Sequence, residues 1–108
     1  MPLRYIMQKK HYDESLELAG DKLVIINWSA AWSQENVKFF PTYMKLSDEY
    51  KDKAMFIVCD IDEADEFVRT LDVAGVPLFW FLKDKKIVEK IEGIDEKLFK
   101  EYLVKYTK

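Results

Sequence analysis

The residues best placed to do chemistry fall in Trp28-Ser29-Ala30-Ala31-Trp32-Ser33-Gln34-Glu35-Asn36. An apolar strand-like run, Leu23 to Ile26, precedes this stretch, and a helix-like run, Val37 to Tyr50, follows it. A strand that opens into a helix N-terminus presents free N–H groups and the positive end of a dipole, which stabilise negative charge. Ser33 and Asn36 stand there, but a serine hydroxyl is a poor nucleophile without a base. The only histidine, His11, lies far away in sequence beside a separate helix, which argues against a Ser-His hydrolase. One His and one Cys, Cys59, give no metal-ligand cluster. No Walker or dinucleotide glycine pattern is present, and no cofactor is expected.

The elements around this stretch are legible. Leu3 to Met7 reads as a short first strand. Tyr12, Leu16 and Ala19 share one face of a short helix that Gly20 ends. Leu23-Val24-Ile25-Ile26 and Met55 to Cys59 are continuous apolar runs, as expected for strands covered on both faces. Ser33 is a good N-cap for the second helix, and Glu35 complements its dipole. Phe39, Tyr43, Leu46 and Tyr50 form its core stripe, and Pro41 should kink it. Val37, Phe40 and Met44 occupy a neighbouring face. They either widen the core stripe or leave an apolar surface for a protein partner. Asp60-Ile61-Asp62-Glu63 leads into a short third helix packed by Phe67, Leu71 and Val68. Leu78 to Leu82 and the more alternating Ile87 to Glu92 form a hairpin around Lys83-Asp84-Lys85-Lys86. Asp95 is a plausible N-cap for a last helix, whose apolar face is Leu98, Phe99, Tyr102 and Tyr106.

Several residues then resemble the thioredoxin family. The stretch Ala19-Gly20-Asp21-Lys22-Leu23-Val24 and the stretch from Trp28 to Pro41 carry the likeness. Thioredoxins have W-C-G-P-C at the second of these, with a proline five residues after the second cysteine. Here the residues are Trp32-Ser33-Gln34-Glu35-Asn36, with Pro41 in register. Gly75-Val76-Pro77 resembles the family's cis-proline loop, and Gly93 matches the glycine that borders the substrate groove. The resemblance covers nearly the whole chain. It implies one α/β thioredoxin-fold domain over residues 1–108: a central mixed five-stranded sheet, order 1-3-2-4-5, flanked by four helices.

The resemblance also defines what is missing. Both active-site cysteines are replaced, by Ser33 and Asn36, and Asn27 stands where the family has a buried, proton-carrying aspartate. Val58 falls where many thioredoxins place a lysine or glutamate near that acid. Disulfide exchange needs an attacking thiolate and a resolving thiol, so no dithiol–disulfide oxidoreductase activity is expected. The groove is expected to remain as a binding surface for another protein or an extended peptide. Its residues would be Trp32, Ser33, Gln34, Glu35, Gly75, Val76, Pro77 and Gly93, with Phe40 beyond them. Two other readings stand beside this adaptor, chaperone-like or subunit role. One is a single-thiol redox protein using Cys59, and the other is a purely structural subunit.

Composition narrows the field further. The 108 residues suffice for one core without a metal or disulfide staple. With 20 acidic residues against 17 Lys and Arg, the net charge is −3 and the basic runs are short, which argues against nucleic acid. No apolar run reaches the length of a transmembrane helix, and Met1 to Lys10 lacks a signal-peptide core. One cysteine points to a reducing, cytoplasmic setting, and the expected state is a monomer or weak dimer.

Overall fold

The run from Leu23 to Ser29 is buried at every position, so it must be the centre of a sheet covered on both faces. The computed structural model describes residues 3–108; the first two residues of the expected domain span lie outside them. In chain order the elements are β1 (Leu3–Tyr5), α1 (Lys9–Ala19), β2 (Leu23–Ser29), α2 (Gln34–Glu49), β3 (Ala54–Asp60), α3 (Asp65–Val68), β4 (Leu78–Lys83), β5 (Lys86–Glu92) and α4 (Glu96–Tyr106). The five strands lie in the order β1-β3-β2-β4-β5. β3 runs parallel to both β1 and β2, while β4 is antiparallel to β2 and to β5. This is the thioredoxin fold.

Because side chains alternate across the pleat, each central strand feeds two cores. On one face Ile25, Phe56, Phe79 and Phe81 meet Phe39, Tyr43 and Leu46 of α2 and Phe99 and Leu103 of α4. Phe99 is the hub, edge-on to Phe39, Phe79 and Phe81 at 5.2 to 5.5 Å between centroids. On the other face Ile26, Trp28, Cys59 and Trp80 meet Leu16 and Ala19 of α1 and Phe67 of α3. Tyr43 anchors α2 through its hydroxyl, which donates to the Ile57 carbonyl at 2.7 Å.

The expected caps of the helices are found, as are the stripes of α1, α2 and α4, while Leu71 packs from beyond the end of the short α3. Gly20 closes α1 at φ 61°, a conformation that only glycine adopts without strain. The Ser33 hydroxyl accepts from the Asn36 N–H, and Asp95 accepts from the Leu98 N–H. α2 runs through Pro41 without ending, although Pro41 has no N–H to offer the preceding turn.

Three local readings change. β1 stops at Tyr5 rather than Met7, though Ile6 remains buried and its N–H still reaches the Val58 carbonyl at 3.1 Å. β5 does not alternate. A bulge at Val88 breaks the register with β4, so both Ile87 and Val88 face solvent and only Ile91 is buried. Of the apolar set on α2, Phe40 packs half-buried against the core, while Val37 and Met44 are exposed.

Candidate functional site

β2 ends at Ser29, and the chain turns through Ala30-Ala31-Trp32 into the α2 cap at Ser33. The turn is closed by the Ser33 N–H donating to the Ala30 carbonyl at 3.1 Å. Trp32 stands out from it, 65% exposed. Its indole N–H donates to Asp62 Oδ2 at 2.8 Å. Asp62 is itself placed by a turn in which Asp60 Oδ1 accepts from the Asp62 and Glu63 N–H groups. Gln34 and Glu35 are exposed on the first turn of α2. Ser33 and Asn36 are buried beneath them.

The chemistry of the position lies underneath. Asn27, on β2, is buried, and so is Asn36. Their side-chain amides bond reciprocally: Asn27 Nδ2 donates to Asn36 Oδ1 at 3.1 Å, and Asn36 Nδ2 donates to Asn27 Oδ1 at 3.3 Å. Two buried amides that satisfy each other remove the desolvation cost either would carry alone. The pair is neutral and does not titrate, so it holds no proton to give or take. Val58, beside Asn27 in the sheet register, is buried and apolar and adds no titrating group.

Cys59 lies in β3 with no exposed surface. Burial, aided by the neighbouring Asp60 charge, pushes its thiol from an ordinary 9.0 up to about 12. At neutral pH it is a thiol packed among Trp28, Phe67 and other apolar side chains. Among the described residues, no group of three or more His, Cys, Asp or Glu is arranged to hold a metal ion.

The second part of the site is a groove. Gly75, Val76, Pro77, Lys90, Glu92 and Gly93 line a cleft of about 350 Å³. The Val76–Pro77 bond is cis. The Pro77 carbonyl accepts from the Gly93 N–H at 2.8 Å, and Gly93 sits at φ 79°, which ties the β5 end to the proline loop. From Asp72 to Val76, no backbone N–H or carbonyl finds a partner among the described residues. An extended segment laid along Val76 would meet unpaired donors and acceptors, the requirement for strand addition.

The expected binding residues therefore divide. Gly75, Val76, Pro77 and Gly93 share this cleft; Trp32, Gln34 and Glu35 form the exposed helix-start surface with Ser33 buried beneath it, and none of these four lines the cleft. Phe40 does not line it either; it lines another, mostly apolar cleft of about 320 Å³ with Tyr5, Val37 and Pro41, which reaches Ala30, Ala31 and Asn36 of the helix-start turn. The contributions of Asp62, Glu92 and Lys90 were not foreseen. Lys90 and Glu92 come in on β5, directly before Gly93, while Asp62, inside the acidic run Asp60–Glu63, reaches Trp32 from a segment thirty residues away.

The thioredoxin family model matches residues 4–106, nearly all of the chain that builds this geometry. The chain belongs to the thioredoxin family. It is similar to a thioredoxin of Geodia cydonium, 30% identical over 104 residues that cover 95% of this chain and 97% of that one. It is also similar to an H-type thioredoxin of Populus jackii, 33% identical over 93 residues, of whose length it spans 66%. Among solved structures, a poplar thioredoxin h superposes with a TM-score of 0.90 at 29% identity, covering 97% of this chain and 96% of that chain. Within the thioredoxin family frame, the chain has a single cysteine, and that cysteine is in β3 rather than at the start of α2.

Proposed function

We propose that this chain is a thioredoxin-family protein without dithiol–disulfide exchange, which works by holding an extended segment of another protein along Val76. The observation that carries the reading is the Asn27–Asn36 pair. Exchange needs a thiolate to open a disulfide and a second thiol to resolve the mixed disulfide. A neutral amide lock occupies the resolving position and the position of the proton carrier together. Buried Cys59, with its thiol held protonated, speaks against a one-thiol enzyme. A reducing, cytoplasmic setting fits a chain with one sealed cysteine. The unpaired backbone of residues 72–76 beside Pro77 supports the binding half of the reading.

The test has two arms. In a dithiothreitol-driven insulin reduction assay, the protein is expected to leave the onset of turbidity where it stands without protein. Acceleration would sink the redox-inactive half. Cysteine-blocked insulin B chain then serves as the extended probe, followed by tryptophan fluorescence. Saturable binding weakened roughly tenfold or more by Val76→Asp is expected, because a charge beside the strand-addition site is left desolvated. Unchanged binding by the variant would leave the fold as a structural subunit with an idle groove.

A further inference from the structure

A second cleft lies at the opposite end of the sheet from Trp32, where β2 and β3 begin at the Leu23–Ala54 pair. It has a volume of about 480 Å³, and Arg4, Lys22, Lys51, Leu18, Ala54 and Met55 are among the residues lining it. Among the described residues no Asp or Glu lines it, although the chain as a whole carries a net charge of −3. Five of the chain's cations, Lys9, Arg69, Lys85, Lys100 and Lys105, form ion pairs with carboxylates; Arg4, Lys22 and Lys51 form none among the described residues.

Arg4 is also held in place from behind. Its Nε donates to Ser15 Oγ at 2.6 Å, and the fully buried Ser15 hydroxyl donates onward to the His11 carbonyl at 2.6 Å. This anchor restrains the guanidinium and leaves both terminal amino groups without a partner among the described residues. A guanidinium fork suits the oxygens of a phosphate, and lysines beside it add charge. Three cations gathered without a counter-charge repel one another, and a dianion relieves that repulsion. Leu18, 67% exposed, and half-buried Met55 give the cleft an apolar wall.

We propose that this cleft binds a small phosphate monoester whose other half is apolar. Arg4, Lys22 and Lys51 take the phosphoryl group, and Leu18 and Met55 take the body. The assignment is independent of the Val76 groove.

The full chain, labelled with 15N, is titrated with phenyl phosphate, inorganic phosphate and phenol, following amide shifts. The expected result is saturable shifts at residues 3–4, 18–22 and 51–55, with phenyl phosphate binding more tightly than inorganic phosphate and phenol leaving the amides unmoved. The double variant Lys22→Glu/Lys51→Glu should weaken phenyl phosphate by roughly tenfold or more, as expected for loss of charge-assisted bonds. Arg4→Lys, which keeps the charge and removes the fork, should weaken it less. Lys97→Glu, on the remote basic face of α4, should change nothing. The proposal is overturned by shifts that do not saturate in the millimolar range or that spread equally over α4. It is equally overturned by binding that survives the double lysine variant, or by equal affinity for inorganic and phenyl phosphate. Should the double variant lose its dispersed spectrum, Arg4→Lys decides: unchanged affinity there overturns the proposal.

Discussion

Cys59 shows how one residue type changes meaning with its surroundings. On a helix N-terminus a thiol is activated; in β3 it is a small apolar side chain. Its pKa of about 12 lies above the ordinary 9.0 of an exposed thiol, so the folded state favours the protonated form. The stability this contributes is complete below about pH 9 and is lost as pH rises toward 12. A thiol reagent at neutral pH should therefore modify native protein far more slowly than denatured protein, with the native rate following transient opening. Fast native reaction would contradict the buried placement. The Asn27–Asn36 lock makes a second residue-scale prediction. Asn36→Ala leaves the buried Asn27 amide without its partner and should cost about 1–3 kcal/mol. In urea melts, a cycle of Asn27→Ala, Asn36→Ala and the double variant should show coupling of about 0.5–3 kcal/mol. Additive losses would mean that the two amides do not support each other.

At the scale of elements, α4 is held by Phe99, whose ring meets Phe39, Phe79 and Phe81. Phe99→Ala should cost about 3–5 kcal/mol, read as a lower urea midpoint. Much of this level was legible in the sequence. β2, β3 and β4 are apolar runs, the α2 stripe holds from Phe39 to Leu46, and Ser33 and Asp95 are caps read from residue type alone. Each of these is a local signal of period or capping chemistry. What was not legible depends on tertiary partners. The Val88 bulge turns two consecutive apolar residues outward, which no alternation rule anticipates. Leu103 joins the core, whereas the stripe read from the sequence runs through its neighbour Tyr102. Within the site, positions 33 and 36 stood out as missing cysteines. That Asn36 would bond to Asn27, and Trp32 to Asp62 thirty residues on, follows only from how β2, α2 and the β3–α3 turn converge.

At the scale of the molecule, the two ends of the sheet differ in character. One end carries Trp32, the amide lock and, beside the cis proline, an unpaired stretch of backbone; the other gathers cations without carboxylates. The strand order connecting them also governs how the chain assembles. β4 and β5 are neighbours across a two-residue turn, Asp84-Lys85, with both residues at positive φ, so their pairing closes almost no loop. β1 is the reverse case: Leu3 pairs with Phe56, and β3 is its only neighbour in the sheet among the described residues. β1 must wait for β3 before it has an edge to join, and closing that long loop costs entropy. In stopped-flow chevrons, Leu3→Ala should therefore quicken unfolding and leave the refolding rate nearly unchanged, the mark of contacts made after the barrier. A strand that docks late is also the strand whose release costs the least ordered structure, so the N-terminal edge is where amide hydrogens of the sheet should exchange first.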